Sequence, residues 1–468
     1  MTETTTPRSV QPTDLFQLHF LQSAALSPDG QSVAYSVATH DATDDADYEQ
    51  IWLLAIASGQ HRQLTFGKHK NQAPQWSPDG KTLAFVSTRG EKPQIYLLPV
   101  DGGEARQLTQ FKQGVSGGLA WSPDGQHLAF SAGPQPDQPH DATLPYRLTR
   151  HVYRFDAIGY LDTAVQDLYL MPVAGGEARR LTADGCQNTA PQWAPDGSRL
   201  LYVATMTPAS HRAMTPELRV VTLDGTSTTV ISHAWGNFAG SAAWLPDSRQ
   251  IAFVGVAGGQ PIGTQNDLFV VDSASGQVSK RTAGLDRQVG ARLQPDVPSG
   301  VANQLAKVLV TDGGAVAYVP VQIGGTVQVY RVRLTGETAY EAVLSGDRSC
   351  FLLDGNSATA TLLYAVSDFN TPPDLYLADG KGQHEQRLTE LNTAILATLQ
   401  QPVVEHLWFP GQDDVPVEGW FIRPVEAAAP YPTILYIHGG PHSAFGAVYH
   451  FDTQMLVGAG YAVLMVNQ

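Results

Sequence analysis

A short glycine turn near the end of the chain carries the residues whose types and spacing best suit chemistry. The turn reads His438-Gly439-Gly440-Pro441-His442, and it follows an apolar run over residues 433–437. A strand that runs into a glycine turn can present backbone N–H groups to the negative charge that develops on a carbonyl oxygen during acyl transfer. The sequence therefore predicts either an oxyanion-binding turn or merely a sharp exit from a strand.

The two histidines that flank the glycines admit further roles. As a zinc pair at i and i+4, His438 and His442 would have to lie on a helix, which the intervening Gly-Gly-Pro excludes. As a general base, either would need a nucleophile within hydrogen-bonding reach. We predict that both hold the turn and line a cavity.

The surrounding residues predict the beginning of a mixed sheet. Residues 403–409 and 415–422 flank a polar Pro-Gly-Gln-Asp-Asp segment and indicate an antiparallel hairpin. The uninterrupted apolar runs 433–437 and 461–466 are typical of strands buried on both faces of a mainly parallel sheet. Between them, residues 448–457 can form a helix. Two strands followed by strand, turn, helix and strand are typical of the start of an α/β-hydrolase domain with a doubly wound sheet.

The same helix pattern predicts which side chains it buries. Phe451, Met455 and Leu456 are expected to face inward, and Gly458 and Gly460 to end the helix.

Residues 20–390 repeat a Ser-Pro-Asp-Gly type of turn. Copies begin at Ser27, Ser77, Ser122, Ala194 and Leu245, and weaker ones at Asp312 and Asp354. Proline presets the first corner of the turn, and glycine takes the position of positive φ. Alternating strands follow, and most units end in a Leu-Thr phrase. Seven units with a period of about 45 residues predict a mainly β fold, a seven-bladed β-propeller.

An insertion interrupts the repeat between its third and fourth turns, which are 194 − 122 = 72 residues apart. It covers residues 133–165, and its second half is rich in Arg and Tyr. Such a segment can grip a carboxylate or a peptide backbone, with Arg154 as the strongest candidate. The alternative is a surface excursion whose aromatic rings pack on the next blade.

Composition excludes several classes of protein. The net charge of −15 argues against nucleic acid and anionic membranes as partners. Two distant cysteines, Cys186 and Cys350, exclude a disulfide framework and a cysteine-based metal site, and we expect two buried thiols in a reducing compartment. The polar N-terminus has no apolar signal region, and no long apolar stretch occurs. We therefore expect a cytoplasmic protein.

These patterns divide the chain into three segments. We predict an N-terminal extension over residues 1–19, a propeller over residues 20–398, and the N-terminal part of an α/β-hydrolase domain over residues 399–468.

A seven-bladed propeller followed by a hydrolase entry with His-Gly-Gly-Pro-His resembles the prolyl oligopeptidase family of serine peptidases, and within it the acylaminoacyl-peptidase branch. The resemblance covers nearly the whole chain. It implies hydrolysis of short peptides, with the propeller as a size filter and with neither cofactor nor metal. It also implies that the Gly440 N–H contributes to the oxyanion hole. We predict Gly439, His442 and Arg154 as substrate-binding residues beside it.

The resemblance also implies residues that we do not find. A complete member would continue with a Gly-x-Ser-x-Gly elbow, then an Asp and a His. The segment Gly114-Val115-Ser116-Gly117-Gly118 looks like such an elbow, but it precedes a blade turn and no hydrolase helix. We therefore expect the nucleophile, Asp and His to be absent from this chain and the chain alone to be inactive.

The expected open sheet predicts a partner. Residues 461–466 would form an exposed apolar edge. We expect the C-terminal remainder of the hydrolase domain, or a homo-oligomer partner, to cover it.

Two other functions stay open at this point. One is a non-catalytic propeller that binds peptides or proteins, similar to the propeller of the Tol system, which leaves residues 403–468 unexplained. The other is a truncated, inactive homologue that serves as a regulator. Substrate type is also open, although the chain has no Glu-Glu pair of the kind with which dipeptidyl-peptidases anchor an amine.

Overall fold

The structure, a computed structural model, describes residues 7–467 with internal gaps. The segments outside the description are 1–6, 134–144, 146–147, 149–152, 156–158, 161–164, 208–215, 259, 261–262, 294, 298, 302–305, 426–428, 441 and 468. The described chain is mainly β-structure. No helix within these described ranges is long and apolar enough to cross a membrane.

Strands that are close in sequence form seven antiparallel sheets in the described residues, which we number 1 to 7 along the chain. Sheet 1 contains β1 (His19–Leu26), β2 (Ser32–Asp41), β3 (Ala46–Ala55) and β4 (Gln60–Gln63). Sheet 2 contains β5 (Asn71–Trp76), β6 (Thr82–Ser87), β7 (Gln94–Pro99) and β8 (Arg106–Gln107). Sheet 3 contains β9 (Gly117–Trp121), β10 (His127–Ala132), β13 (Asp167–Pro172) and β14 (Arg179–Arg180).

A separate hairpin of β11 (Arg154–Phe155) and β12 (Gly159–Tyr160) lies within the connection from β10 to β13. Sheet 4 contains β15 (Gln187–Trp193), β16 (Arg199–Thr205), β17 (Glu217–Thr222) and β18 (Ser227–Ile231). Sheet 5 contains β19 (Gly236–Trp244), β20 (Gln250–Ala257), β21 (Asp267–Asp272) and β22 (Val278–Lys280).

Sheet 6 contains β23 (Gln288–Val289), β24 (Leu309–Thr311), β25 (Val316–Ile323), β26 (Thr326–Arg333) and β27 (Tyr340–Leu344). Sheet 7 contains β28 (Ser349–Asn356), β29 (Thr361–Ser367), β30 (Asp374–Ala378) and β31 (Gln386–Arg387). Short 3₁₀ turns occur at Pro12–Gln17, Asp312–Gly314 and Gln412–Asp414, and helix α1 (Thr393–Leu396) follows sheet 7.

The repeated turns have the predicted backbone. The φ angle is 71° at Gly30, 70° at Gly80, 69° at Gly125 and 72° at Gly197. In the degraded fifth copy Ser248 takes the same region, with φ of 55°. One predicted turn is wrong. Asp354 and Gly355 lie inside β28, and the chain turns over residues 357–360.

The strands that follow the turns do not alternate between buried and exposed positions as predicted. Five of the six residues of β6 are buried, and so are five of the six residues of β10. Both faces of these strands are covered, because each sheet packs against a neighbour on either side.

Tryptophan side chains join successive sheets through hydrogen bonds to backbone carbonyls. Each indole N–H donates to the first strand of the preceding sheet: Trp76 to Ala25 (3.0 Å), Trp121 to Gln75 (3.1 Å), Trp193 to Ala120 (3.1 Å) and Trp244 to Gln192 (3.3 Å). Sheet 7 meets sheet 1, where the Leu26 N–H donates to Asp354 Oδ2 (2.9 Å). These bonds therefore link sheets 1 to 5 in succession and connect sheet 7 to sheet 1.

The Leu-Thr phrase has a structural explanation. The threonine Oγ1 accepts a hydrogen bond from a backbone N–H of the third strand, and donates to the side chain one residue earlier in that strand. Thus Thr65 bonds to Ile51 N (2.8 Å) and Gln50 Oε1 (2.9 Å). Thr109, Thr182, Thr282 and Thr389 make the same pair of bonds in four other sheets. The phrase thus fixes the outer strand to the third.

A C-terminal sheet follows. It contains β32 (Val403–Pro410), β33 (Pro416–Arg423), β34 (Thr433–Tyr436) and β35 (Ala462–Asn467), and helix α2 (Phe451–Gly458) connects β34 to β35. The strand order is β32-β33-β35-β34, and only the β34–β35 pair is parallel.

This order corrects two expectations. The run at 461–466 is not an edge, because β35 lies between β33 and β34. The run at 433–437 is not buried on both faces, because β34 is the edge strand, and Leu435 and Ile437 are 56% and 69% exposed. Strand order depends on pairing between distant segments, which an apolar run does not encode.

Helix α2 is shorter than predicted, and of the three side chains predicted to face inward only Phe451 is buried. It begins at Phe451, and its buried residues are Phe451, Thr453, Gln454 and Val457. Met455 and Leu456 are only partly buried. Gln454 faces inward because its amide donates to the Phe369 carbonyl of sheet 7 at 2.7 Å.

The C-terminal sheet rests on loops of sheets 5 to 7. The Ala447 N–H donates to the Gly325 carbonyl (2.7 Å), and the Tyr449 N–H donates to Ser367 Oγ (3.2 Å). Asp296 accepts the N–H groups of Phe451 (2.8 Å) and Asp452 (2.7 Å), and so caps α2 from the loop between β23 and β24 of sheet 6.

Candidate active site

The glycine turn follows the carboxyl end of β34 and admits no side chain at Gly440. The φ angle of Gly440 is 127°, and a Cβ there would lie 2.6 Å from Ser443 N and 2.7 Å from His442 N. Gly439 has open space around its Cα. Both glycines are exposed, and the Gly440 N–H donates to no other described residue. Gly440 can therefore offer one backbone N–H to a ligand.

Phe445 packs against the residues that lead into the turn. Its ring stacks on Tyr436 at 5.5 Å between centroids and meets His438 edge-on at 5.1 Å. The Asn467 side chain bonds both backbone groups of Phe445, at 2.8 Å to the N–H and 3.0 Å to the carbonyl. The segment after the glycines is thus clamped to the end of β35.

His442 faces the propeller side of the site. A Cβ on Gly263 would lie 2.9 Å from His442 Cε1, so this glycine makes room for the imidazole. Two residues further on, the Ala444 N–H donates to the Arg292 carbonyl at 3.0 Å. The turn therefore lies where the C-terminal sheet meets the loops of sheets 5 and 6.

The structure brings Gly439, Gly440 and His442 together in one turn. Arg154 lies elsewhere, in the β11–β12 hairpin, where it pairs with Tyr160 and is exposed. Most of the insertion is outside the described residues, so its contact with a substrate stays a prediction.

Ser116 of the elbow-like segment does not act as a strand-to-helix elbow. It precedes β9, and its Oγ donates to the Ser131 carbonyl of sheet 3 at 2.9 Å. The hydroxyl therefore has a structural role in sheet 3. Within the part of the chain that the structure describes, no group of three His, Cys, Asp or Glu side chains could hold a metal ion.

Both cysteines are buried and unpaired with each other. Burial raises the pKa of Cys186 to about 11 and that of Cys350 to about 12. Neither thiol is therefore suited to nucleophilic attack near neutral pH.

Sequence reasoning missed Arg292, Asp296 and Asn467. Each acts through a contact with a segment more than 20 residues away. None belongs to a motif, so no local signal marked them.

The fold agrees with a match to the TolB beta propeller domain over residues 15–139. The chain is thus a β-propeller protein with a C-terminal sheet that carries a glycine turn. It is 30% identical over 461 residues to the uncharacterized peptidase YuxL of Bacillus subtilis, an alignment that covers 94% of this chain and 68% of that protein. The chain belongs to the prolyl oligopeptidase family of peptidases.

Other similarities agree with this family. The chain is 22% identical to dipeptidyl-peptidase 5 of Porphyromonas gingivalis, over 99% of this chain and 68% of that one. The structure of the acylaminoacyl peptidase of Pyrococcus horikoshii superposes with a TM-score of 0.76 at 18% identity, over 98% of this chain and 66% of that one. The chain thus spans about two thirds of the length of these relatives.

Proposed function

We propose that this chain supplies the propeller and one oxyanion donor of a serine peptidase that hydrolyses short peptides. Peptidases of the acylaminoacyl and dipeptidyl types among its relatives support this proposal. The observation that carries it is the exposed N–H of Gly440, in a turn that only glycine can form, beside loops of the propeller. The N–H would stabilise the oxyanion of the tetrahedral intermediate.

The architecture within this proposal is a seven-bladed propeller followed by the start of an α/β-hydrolase domain. We assign residues 20–398 to the propeller, 399–468 to the hydrolase and 1–19 to an extension. The parallel β34–β35 pair and the helix between them suit a right-handed β-α-β unit. The blades would restrict the cleft to short peptides.

The nucleophile of the reaction would come from a hydrolase segment that also covers the outer face of β34. Leu435 and Ile437, more than half exposed, offer that segment an apolar surface. The chain by itself is expected to be inactive, because a backbone donor alone provides no attacking group.

A complementation assay tests this function. N-acetyl-alanyl and alanyl-prolyl chromogenic substrates are incubated with the chain, with and without a hydrolase fragment that carries a Gly-x-Ser-x-Gly elbow. We expect hydrolysis only when both pieces are present. If a folded, bound fragment restores no hydrolysis, the proposal is wrong and a peptide-binding propeller replaces it.

Gly440→Ala tests the role of the Gly440 N–H within the same assay. The added Cβ would meet Ser443 N and displace the turn, so we expect the complemented kcat to fall by roughly 10²-fold or more. Gly276→Ala is the control, because Gly276 has a positive φ of 71° but no atom within 4 Å of a Cβ. It should keep the activity of the parent. Equal rates for the two variants would exclude Gly440 from the oxyanion site.

A further inference from the structure

Arg292 lies between the propeller and the C-terminal sheet with its backbone fixed on both sides. Its N–H donates to Gln322 Oε1 at 2.7 Å, and its carbonyl accepts from the Ala444 N–H at 3.0 Å. Leu293 continues this contact as a parallel bridge to Ala444. The position of the side chain is therefore set by two separate parts of the molecule.

The guanidinium of Arg292 has no carboxylate partner among the described residues. It is half-buried, and Nη2 donates to the Thr264 carbonyl at a long 3.3 Å. Burial alone lowers its pKa, and no acidic group opposes that effect. A cation withdrawn from water without a partner is costly, which favours a site that receives an anion.

Two other partly buried arginines, by contrast, have carboxylate partners. Arg219 pairs with Glu217 (2.6 Å) and Asp184 (2.8 Å), and Arg348 pairs with Glu385 (2.6 Å). Both are less than a third exposed, and both have their charge matched within the propeller. Arg292 has a comparable environment without the matching charge.

The unmatched guanidinium lies close to the segment that contacts the glycine turn. Its partner Thr264 follows Gly263, against which the His442 ring packs. His442 is two residues after Gly440. A backbone N–H suited to a carbonyl oxygen and a guanidinium suited to a carboxylate therefore lie in the same region, where the C-terminal sheet meets the loops of sheets 5 and 6.

We propose that Arg292 binds the C-terminal carboxylate of a short peptide whose reacting carbonyl lies at Gly440. The planar guanidinium can donate two parallel hydrogen bonds to a carboxylate, a geometry that neither an amide nor an ester reproduces. This inference rests on the proposed function and narrows its substrates to short peptides with a free C-terminus.

Peptide binding to the full chain tests the inference without any need for hydrolysis. Isothermal titration calorimetry is performed with N-acetyl-trialanine and with its C-terminal amide. A charge-assisted contact is expected to make the carboxylate peptide bind roughly tenfold more tightly or better than the amide. Arg292→Gln should make the two affinities equal. Arg292→Lys should keep part of the difference, since lysine keeps the charge but loses the paired N–H donors of the guanidinium.

Arg281→Gln is the matched control. Arg281 is also lowered in pKa by burial and also bonds only carbonyls, those of Arg333 and Gly336, but it lies at the outer strand of sheet 5. Its loss changes the net charge equally and should leave the tenfold preference intact. Circular dichroism of each variant verifies that it is folded.

Three results would overturn the inference. They are equal affinity of the parent for acid and amide, no binding of either peptide, and an equal loss of preference in Arg281→Gln. None of them bears on the complementation assay, so a failure here leaves the proposed function to its own test.

Discussion

Some residues of the candidate site could be predicted from the sequence, and others could not. The glycine turn at Gly440 could be predicted, because an apolar run followed by two glycines is a local pattern. Arg292 and Asn467 could not, because their roles depend on contacts with Ala444 and Phe445 that only the folded chain creates. A histidine at the same junction, His450, was equally invisible, although it is 2% exposed and lies edge-on to Phe445.

The burial of His450 predicts a pH-dependent stability. Neither ring nitrogen has a hydrogen-bond partner among the described residues, and burial lowers the pKa of His450 to about 4. The unfolded chain takes up a proton near pH 6.5, and the folded chain does not until about pH 4. Stability should therefore fall as the pH drops through this window, by about 2 to 3 kcal/mol at pH 4.5 relative to pH 7.5.

His450→Phe isolates this effect, since phenylalanine fills a similar volume and does not titrate. Urea unfolding at both pH values should show a loss of stability that is about 2 to 3 kcal/mol smaller in the variant. The neighbouring Asp296 carboxyl titrates in both proteins and cancels in the difference. An equal loss in the parent and in His450→Phe would contradict the prediction.

At the scale of elements, the positions of the strands along the chain could be predicted better than the order in which they pair. The repeated turns placed most of the propeller strands, because proline, aspartate and glycine act within a few residues. The order β32-β33-β35-β34 was not predicted, and the burial of β34 was wrong for the same reason. Which strand becomes an edge is decided by pairing across about 30 residues.

The tip of the β25–β26 hairpin joins the propeller to the C-terminal sheet. A Cβ on Gly325 would lie 2.3 Å from the Trp420 ring and 3.0 Å from Gly446 Cα. Because the contact involves a buried ring and backbone, neither side can move freely, so Gly325→Ala should lower the free energy of unfolding by about 1 to 3 kcal/mol.

Urea unfolding monitored by tryptophan fluorescence measures the effect of Gly325→Ala. Gly90→Ala is the control, because a Cβ there would be 3.8 Å from its nearest neighbour, Lys92 O. It should change stability by less than about 0.5 kcal/mol. If the two variants are equally stable, the hairpin tip is not the tight junction that its contacts indicate.

At the scale of the whole molecule, one seam separates sheet 7 from sheet 1. Besides the Leu26–Asp354 bond, the Asn392 side chain bonds both backbone groups of His19, each at 2.8 Å. These contacts join residues more than 300 positions apart. The repeat indicated that such a seam must exist, but not which side chains close it.

Asn392→Ala should weaken this seam. Asn392 is 2% exposed, so its loss leaves the N–H and the carbonyl of His19 without their partner, and we expect a destabilisation of about 2 to 3 kcal/mol. Hydrogen exchange should be accelerated first in β1 and β28. Asn356→Ala removes one exposed bond across the same seam, to Pro28 O, together with exposed bonds from the Ala358 and Thr359 N–H groups of its own turn, and should not accelerate exchange in β1. Uniform acceleration in all sheets would contradict a local seam.

The tryptophan bonds have a consequence for synthesis of the chain. Each indole reaches back to a carbonyl that the ribosome has already released, about 45 to 75 residues earlier. A growing chain can therefore dock each of sheets 2 to 5 on the sheet before it, with no need for residues still to be translated. The junction between sheet 1 and sheet 7 must wait until sheet 7 has been translated. Until then the nascent protein is an open arc, whose exposed first and latest sheets are the surfaces that a chaperone would have to shield.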